Sequence, residues 1–421
     1  MQIVISHLTG NMNSCAAAQA YAEAGLLAEF HTTLVVPSWL RRLSVGLGWR
    51  NGIWNRRLFP NQVLPMLRAH PILELLRLAC RSSARLRHSR FGRRHGSLEQ
   101  AVLRFDLAVS RVLVKRQGLR AVHAYMDTAE QTFLAARQRG IRTIYELPTP
   151  YWRFTRDMVA AEAECQPEWA MTLPVMDADS EAMQRRDREL QLADVVIVPS
   201  ELVRDSLILA PPFQAQVLVV PYGCPEPVQN SEFKVEILTA PRLRVLYVGS
   251  LNQGKGLAYL AEAMTGLEEV ATLTVIGSRT SVTPCAALDR VLADHRHRSG
   301  LSHEEVLAEM RQHDVLVLPT LYEGLALVLL EAMACGLTVV TTTHSGLTGL
   351  IREGREGFIV PIRDAAAIHD RLWQLAGDAA LLQTMQLAAL AWSREHSWRR
   401  YREQLREGVL QMPPRSVVKG I

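Results

Sequence analysis

Short apolar runs alternate with longer segments of helical periodicity along most of this chain, and the alternation stops and restarts once. Gln2–His7, Thr33–Val36, Ala121–Ala124, Arg142–Leu147, Val195–Pro199 and Val217–Pro221 read as strands in the first half. In the second half Arg244–Val248, Thr272–Ile276, Val315–Leu318, Thr338–Thr342 and Phe358–Val360 do the same, more regularly. Strands separated by helices imply parallel sheets with right-handed crossovers. Between the halves, Tyr222-Gly-Cys-Pro-Glu-Pro227 and the polar stretch to Pro241 have the composition of an interdomain crossing. The pattern predicts an α/β architecture of two facing Rossmann-like domains, residues 1–225 and 226–394, with a cleft between them.

Composition narrows the setting. A chain of 421 residues is long for one core and comfortable for two. Apolar content of 48% and charged content of 21% are those of a soluble globular protein. Cys15, Cys80, Cys165, Cys224, Cys285 and Cys335 are scattered, without a Cys-x-x-Cys pair or a histidine at metal spacing, which points to a reducing compartment and away from structural zinc. The first residues read as a strand rather than a secretory leader, and no apolar run has the length of a membrane span. The expectation is a cytoplasmic protein.

The charge is uneven. Residues 41–120 hold 18 Lys or Arg against Glu74, Glu99 and Asp106, although the whole chain is only +5. Arg77, Arg81 and Arg85 recur every four residues beside Ile72, Leu75, Leu76 and Ala79, an arginine stripe next to an apolar helix face. Such a stripe suits an anionic membrane surface or a lipid-phosphate acceptor. A solvated face is the plainer reading, since the chain uses 43 arginines against four lysines throughout. No nucleic-acid recognition motif accompanies the charge.

The richest motif is Glu323-Gly-Leu-Ala-Leu-Val-Leu-Leu-Glu331, directly after the apolar run ending at Thr320. A strand, a glycine-marked loop and an apolar helix describe a crevice at a strand's carboxyl end, where parallel α/β folds bind ligands. The helix start turns unpaired N–H groups toward the loop, a seat for phosphate or a sugar hydroxyl. If all eight steps were helical, the carboxylates would lie about 12 Å apart along the axis, against about 5 Å in retaining glycosidase pairs. The spacing therefore suits two contacts along one long ligand. Gly249-Ser-Leu-Asn-Gln-Gly-Lys255-Gly256 also follows a strand and opens a helix. It lacks Walker spacing and a hydroxyl after the lysine, yet one lysine with backbone donors can neutralise a diphosphate. Asp177-Ala178-Asp179 matches a metal-holding Asp-x-Asp in pattern, but it runs into a charged helix, which Asp179 or Ser180 is expected to cap.

Glu-x7-Glu, followed by Ala332-Met-Ala-Cys-Gly336 and the strand Leu337–Val340, resembles the nucleotide-sugar half of retaining glycosyltransferases of the two-Rossmann-domain (GT-B) type, family 4-like. This large group includes bacterial mannosyl- and glucosyltransferases. The resemblance is strongest from Val245 to Pro361. It implies that Lys255 holds the donor diphosphate beside Gly249, while Ser250 stands where the family has arginine. It implies that Glu331 accepts ribose hydroxyls and that Glu323 contacts the donor sugar. Gly324 and the N–H groups of Leu325, Ala326 and Leu327 then surround sugar and phosphate, and Gly277 lines the nucleotide pocket. In the first domain Gly10–Ser14, through Gly10 and Asn11, resembles the loop facing the donor phosphates. Val122-His-Ala-Tyr125 resembles the family's His-Ala-His strand end, giving His123 a catalytic place with Tyr125 replacing the second histidine. Glu146 ends a neighbouring strand and is expected at the same cleft mouth, binding acceptor or assisting deprotonation. A terminal helix, about 395–421, is expected to cross back to the first domain.

The resemblance implies transfer of a hexose from a nucleoside diphosphate sugar to a hydroxyl acceptor, with retention and without a metal or other cofactor. The basic stripe leans the acceptor toward a lipid-linked intermediate or a growing surface polysaccharide. The alternatives are a degenerate sugar-nucleotide-binding subunit of a membrane complex and a phosphorylase or epimerase of the same architecture.

Overall fold

The computed structural model describes residues 2–36, 59–82, 96–226 and 242–411. In the first domain the described elements are β1 Ile3–Ser6, α1 Met12–Glu23, β2 Leu27–Thr32, β3 Leu67–Ala69, α2 Pro71–Ser82, α3 Leu98–Lys115, β4 Ala121–Tyr125, α4 Glu130–Gln138, β5 Arg142–Glu146, α5 Trp152–Cys165, α6 Glu181–Leu192, β6 Val195–Val198, α7 Glu201–Ser206 and β7 Gln216–Val219. The second domain contains β8 Leu243–Val248, α8 Leu257–Ala263, β9 Ala271–Ile276, α9 Ala286–Asp294, β10 Arg296–Arg298, α10 His303–Met310, β11 Val315–Leu318, α11 Leu327–Ala334, β12 Thr338–Thr342, β13 Gly357–Val360, α12 Ala365–Gly377 and α13 Ala379–Glu395. The last helix is α14, Trp398–Leu410.

Each domain is one parallel sheet. The first is ordered β3-β2-β1-β4-β5-β6-β7 and the second β10-β9-β8-β11-β12-β13. In both, the order reverses beside the domain's first strand, between β1 and β4 and between β8 and β11. Such reversal points open a crevice at the strands' carboxyl ends. The central strands β1, β4, β6, β11 and β12 are buried along their whole length, as sheets covered on both faces require.

Local chemistry sets the boundaries. Asn11 accepts the Ser14 N–H at 3.0 Å and so starts α1. The helix ends at Glu23, because Gly25 turns the chain at φ +67°. The strand expected at Thr33–Val36 lies earlier, at Leu27–Thr32. Its buried Glu29 and His31 obscured it: His31 bonds Glu29 at 3.2 Å and His70 at 3.0 Å, so both polar side chains are satisfied inside. The short edge strands β3 and β10 were not expected, since Leu-Arg-Ala and Arg-His-Arg carry no apolar signal.

The second domain is tied back to the first by α14. Cys224 pairs with Ser397, Trp398 N–H donates to the Cys224 carbonyl at 3.2 Å, and Arg402 meets Glu23 of α1 at 3.1 Å. Most of the expected linker and residues 412–421 lie outside the described residues. Among the described residues no helix is long and apolar enough to cross a membrane.

Candidate functional site

At the reversal point of the second sheet, the loop after β8 and the loop after β11 close on each other. Residues 253–255 form a single 3-10 turn, and Gly256 at φ +73° passes the chain into α8. The Gly254 carbonyl accepts the Leu321 N–H at 2.9 Å and the Thr320 hydroxyl at 3.1 Å. These bonds bring Lys255 Nζ onto Glu323 Oε1 as an ion pair. Both side chains keep a path to solvent, at 26% and 18% exposure. Burial lowers the Lys255 ammonium to about 8. Two motifs 68 positions apart in sequence thus meet in one place, a lysine from the glycine loop and the first carboxylate of Glu-x7-Glu.

Glu323 precedes α11 in an extended loop, so only part of the Glu-x7-Glu interval is helical, and the 12 Å axial estimate for a continuous helix does not apply. The loop is held by the next strand end, with Glu323 N–H donating to His344 O at 3.0 Å and Ala326 N–H to Ser345 O at 3.1 Å. The Ala326 N–H is therefore spent on Ser345 and not offered to a ligand, a correction to its expected role. Leu325 and Leu327 stay at the mouth of α11, where first-turn N–H groups have no intrahelical acceptor. Glu331 lies one turn into α11, mostly buried, with His303 Nε2 3.8 Å away. Burial pushes its carboxyl up to about 7.

The glycines act through close approach. A Cβ on Gly277 would overlap the Gly249 carbonyl, so the loops after β8 and β9 touch backbone to backbone. Gly249 N–H donates to Ile276 O at 3.0 Å. Ser250 contributes its carbonyl, which accepts the Tyr247 hydroxyl at 2.9 Å. Gly324 faces the first domain: a Cβ there would overlap the Pro148 carbonyl and stand 3.2 Å from Pro199 Cγ. The Ser200 hydroxyl caps α7 and also donates to the Gly324 carbonyl at 2.5 Å. The two domains therefore meet at the Glu323 loop itself.

Residues 242–378 match the family described as Glycosyl transferases group 1. Residues 242–378 are a group 1 glycosyltransferase domain. The chain is 34% identical over 151 residues to glycogen synthase of Mycobacterium tuberculosis, covering 34% of this chain and 36% of that one. It is 32% identical over 161 residues to the amylovoran biosynthesis glycosyltransferase AmsK of Erwinia amylovora, covering 35% of this chain and 40% of AmsK. The chain thus spans well under half the length of these curated relatives. Two solved structures share the whole architecture. Sucrose-phosphate synthase from Thermosynechococcus elongatus superposes with a TM-score of 0.65 at 17% identity, over 98% of this chain and 99% of that chain. Anabaena HepE in complex with UDP-glucose superposes with a TM-score of 0.60 at 13% identity, over 98% of this chain and 100% of HepE. The fold is GT-B, two Rossmann-like domains facing across a cleft.

Opposite the group 1 domain, several expected site residues sit elsewhere. His123 is fully buried in the first domain, with Nε2 on Glu146 Oε2 at 3.0 Å and Nδ1 on the Tyr21 hydroxyl at 3.1 Å. Its ring stacks on Tyr125 at 5.2 Å. Glu146 is equally buried, and its other oxygen accepts the Tyr222 hydroxyl at 3.1 Å. Tyr222 in turn accepts from Asn13 at 3.0 Å. Burial, then the Glu146 charge, hold the Tyr21, Tyr125, Tyr222 and Tyr401 phenols well above their usual range. This is a core network roofed by α1 and α14, so the cleft-mouth positions expected for His123, Glu146 and Tyr125 are corrected. The cause is three-dimensional: Tyr21 and Tyr401 come from distant helices and cover the strand ends.

Gly10 turns at φ +68°, its N–H donating to His7 Nδ1 at 2.8 Å, and the Asn11 side chain is the α1 cap. Arg77 is turned onto Glu74 of its own helix, at 2.7 Å, with Glu74 buried. The Arg81 side chain and all of Arg85 lie outside the described residues. Asp177 makes a local turn, accepting the Asp179 N–H at 3.1 Å, while the Ser180 hydroxyl donates to the Asp177 carbonyl at 2.8 Å. Ser180 thus holds the N-cap position of α6 without the expected side-chain cap bond. The residue that sequence reasoning missed is Glu162 of α5, a fully buried carboxylate that reaches the glycine loop, as described below.

Proposed function

We propose that the protein is a retaining, metal-independent glycosyltransferase that moves a hexose from a nucleoside diphosphate sugar to a hydroxyl acceptor. The observation that carries this reading is the meeting of Lys255 and Glu323 at the reversal point of the group 1 domain. Lys255 and the α11 N-terminus supply positive potential for a departing diphosphate, the electrostatic help this bond cleavage needs. In this reading the bond between the anomeric carbon and the β-phosphate oxygen breaks. The acceptor oxygen bonds the same carbon from the same face, and its proton passes to the departing phosphate oxygen. Glu323 takes hydroxyls of the transferred sugar and Glu331 those of the ribose. With Lys255 and the helix start neutralising the diphosphate, the reading requires no metal.

HepE, of the same fold, was solved with UDP-glucose, and AmsK is named for amylovoran biosynthesis. Together with the basic first domain, they support a sugar nucleotide as donor and a lipid-linked or polysaccharide acceptor at an anionic membrane surface. Titration calorimetry with UDP-, GDP- and ADP-sugars tests the donor, followed by product detection with lipid extracts. Binding and transfer by wild type, with Lys255→Met losing both, is the expected result. Unchanged donor turnover in Lys255→Met would overturn the diphosphate assignment, and binding without any transfer would favour a sugar-nucleotide-binding subunit.

A further inference from the structure

Helix α5 belongs to the first half of the sequence but spans both domains. Its start is fixed to the first domain by Asp187 of α6, which accepts from Trp152 Nε1 at 2.6 Å and from Arg153 Nη2 at 2.6 Å. Beside them Tyr151 N–H donates to the Ser206 hydroxyl at 2.8 Å. Its far end is fixed to the second domain. Glu162 Oε1 accepts Gln253 Nε2 at 2.8 Å and the Tyr259 hydroxyl at 2.9 Å, while Oε2 accepts Arg363 Nε at 2.7 Å. The segment that follows continues the attachment: the Thr172 hydroxyl accepts the Gln253 N–H at 2.9 Å, and Glu168 meets Arg290 at 2.7 Å. Trp169 is buried in the same cluster as the second domain's core.

Gln253 is the first residue of the turn that carries Lys255, and it is fully buried. Its Oε1 accepts the Ala258 N–H at 3.0 Å, so its amide links Glu162 to the first turn of α8. A fully buried carboxylate needs compensation, and here one guanidinium and two neutral donors supply it. Arg363 meets Glu162 from a backbone at φ +61°, which a non-glycine residue adopts only under restraint. The loop is therefore bonded, through Gln253, to a carboxylate from the other half of the chain.

We propose that Glu162 is a positioning residue for the donor diphosphate: by holding Gln253 it sets the 253–255 turn and the direction of Lys255, so that the diphosphate site is complete only with α5 docked on the second domain. The inference rests on the nucleoside diphosphate reading above. Glu162 touches no ligand in this scheme; it acts through Gln253.

The test compares diphosphates with their nucleosides. UDP, GDP and ADP, and uridine, guanosine and adenosine, are titrated into wild type, Glu162→Gln, Arg363→Met and Asp187→Asn. Loss of a charge-assisted bond to Gln253 is expected to weaken the preferred diphosphate about ten- to hundredfold in Glu162→Gln. The matching nucleoside should change less than about twofold, because the base and ribose contacts lie elsewhere. Arg363→Met should show the same selective loss, and the double variant less than the product of the two. Asp187→Asn, at the other end of the strut, should lower the Tm and leave the diphosphate-to-nucleoside ratio as in wild type. Equal weakening of both ligands, or a wild-type ratio in both Glu162→Gln and Arg363→Met, would reduce Glu162 to scaffolding and overturn the proposal. A wild type that binds none of the three diphosphates would overturn the donor reading and this inference with it.

Discussion

Replacing Gly324 by alanine puts a methyl carbon where the Pro148 carbonyl already stands. The new Cβ would overlap that oxygen, lie 2.8 Å from its carbon and stand 3.2 Å from Pro199 Cγ. All three atoms belong to the first domain, and the Pro148 carbonyl is backbone, so no flexible side chain can yield. Carbon and oxygen need about 3.3–3.6 Å, so the interface must retreat by more than about 1 Å at this point. Overpacking of this kind costs about 1–3 kcal/mol. Because the clash lies between domains rather than inside one, the expected response is separation, not unfolding. The closed arrangement should lose about five- to 150-fold in population relative to an open one. Small-angle scattering should show a larger radius of gyration for Gly324→Ala, with each domain still melting cooperatively, and sugar-nucleotide turnover should fall. Gly377→Ala is the control, since a Cβ there meets nothing within 4 Å. A Gly324→Ala protein with wild-type scattering and turnover would refute the closed contact on which this reasoning stands.

Lys255, lowered to about 8 by burial, is charged below that pH, so nucleoside diphosphate affinity should be greatest below pH 8 and fall by up to about tenfold per unit above it; calorimetry from pH 6.5 to 9.5 checks this, and Lys255→Met should flatten the profile. Glu331, raised to about 7, holds more protons folded than unfolded between its ordinary value and 7, so the stability it contributes on the acid side is lost as pH rises through that window. Glu331→Gln should therefore be more stable than wild type by about 1–3 kcal/mol at pH 8 and nearly equal at pH 4, read by urea unfolding. Glu146→Ala strands His123 and Tyr222 in the core and should cost about 3–5 kcal/mol; a loss under about 1 kcal/mol would contradict the buried network. Arg77→Ala should leave sedimentation with anionic vesicles within about twofold of wild type, because its guanidinium is already engaged by Glu74.

The central strands were legible because their signal is local. Val315–Leu318 and Thr338–Thr342 are short apolar runs between turn residues, and they form where periodicity places them. The strand Leu27–Thr32 was not, because Glu29 and His31 are buried polar residues whose partners, His70 and Arg68, come from β3 and its end. The loops after β8 and β11 were readable for the same reason as the strands: glycine, lysine and glutamate mark their own positions. What joins Lys255 to Glu323 is the strand order, and a single sequence does not print strand order. His123 and Glu146 were misplaced by a related blindness. Both stand in strands that end at the cleft edge, yet side-chain burial depends on Tyr21, Tyr222 and Tyr401, which the fold delivers from far along the chain.

Charge accounting across the cleft ties the proposed donor site to the interdomain strut. The loop's lysine is paired with Glu323, and Arg363, which meets the strut, is paired with Glu162. On the proposed reading, a diphosphate that takes Lys255 competes with Glu323 for the ammonium and so leaves a partly exposed carboxylate in need of further donors. Hydroxyls of a sugar attached to that diphosphate are such donors, and they arrive in the same step. A nucleoside diphosphate alone brings only its ribose hydroxyls, so on this reading it binds but satisfies Glu323 less fully than the intact sugar nucleotide does. Glu162 has no such exchange open to it, because its carboxylate is fully buried and its donors are protein atoms. On the proposed donor reading, the pair at Lys255 opens on binding while the pair at Glu162 stays shut, so that one loop holds its shape while its terminal lysine changes partner.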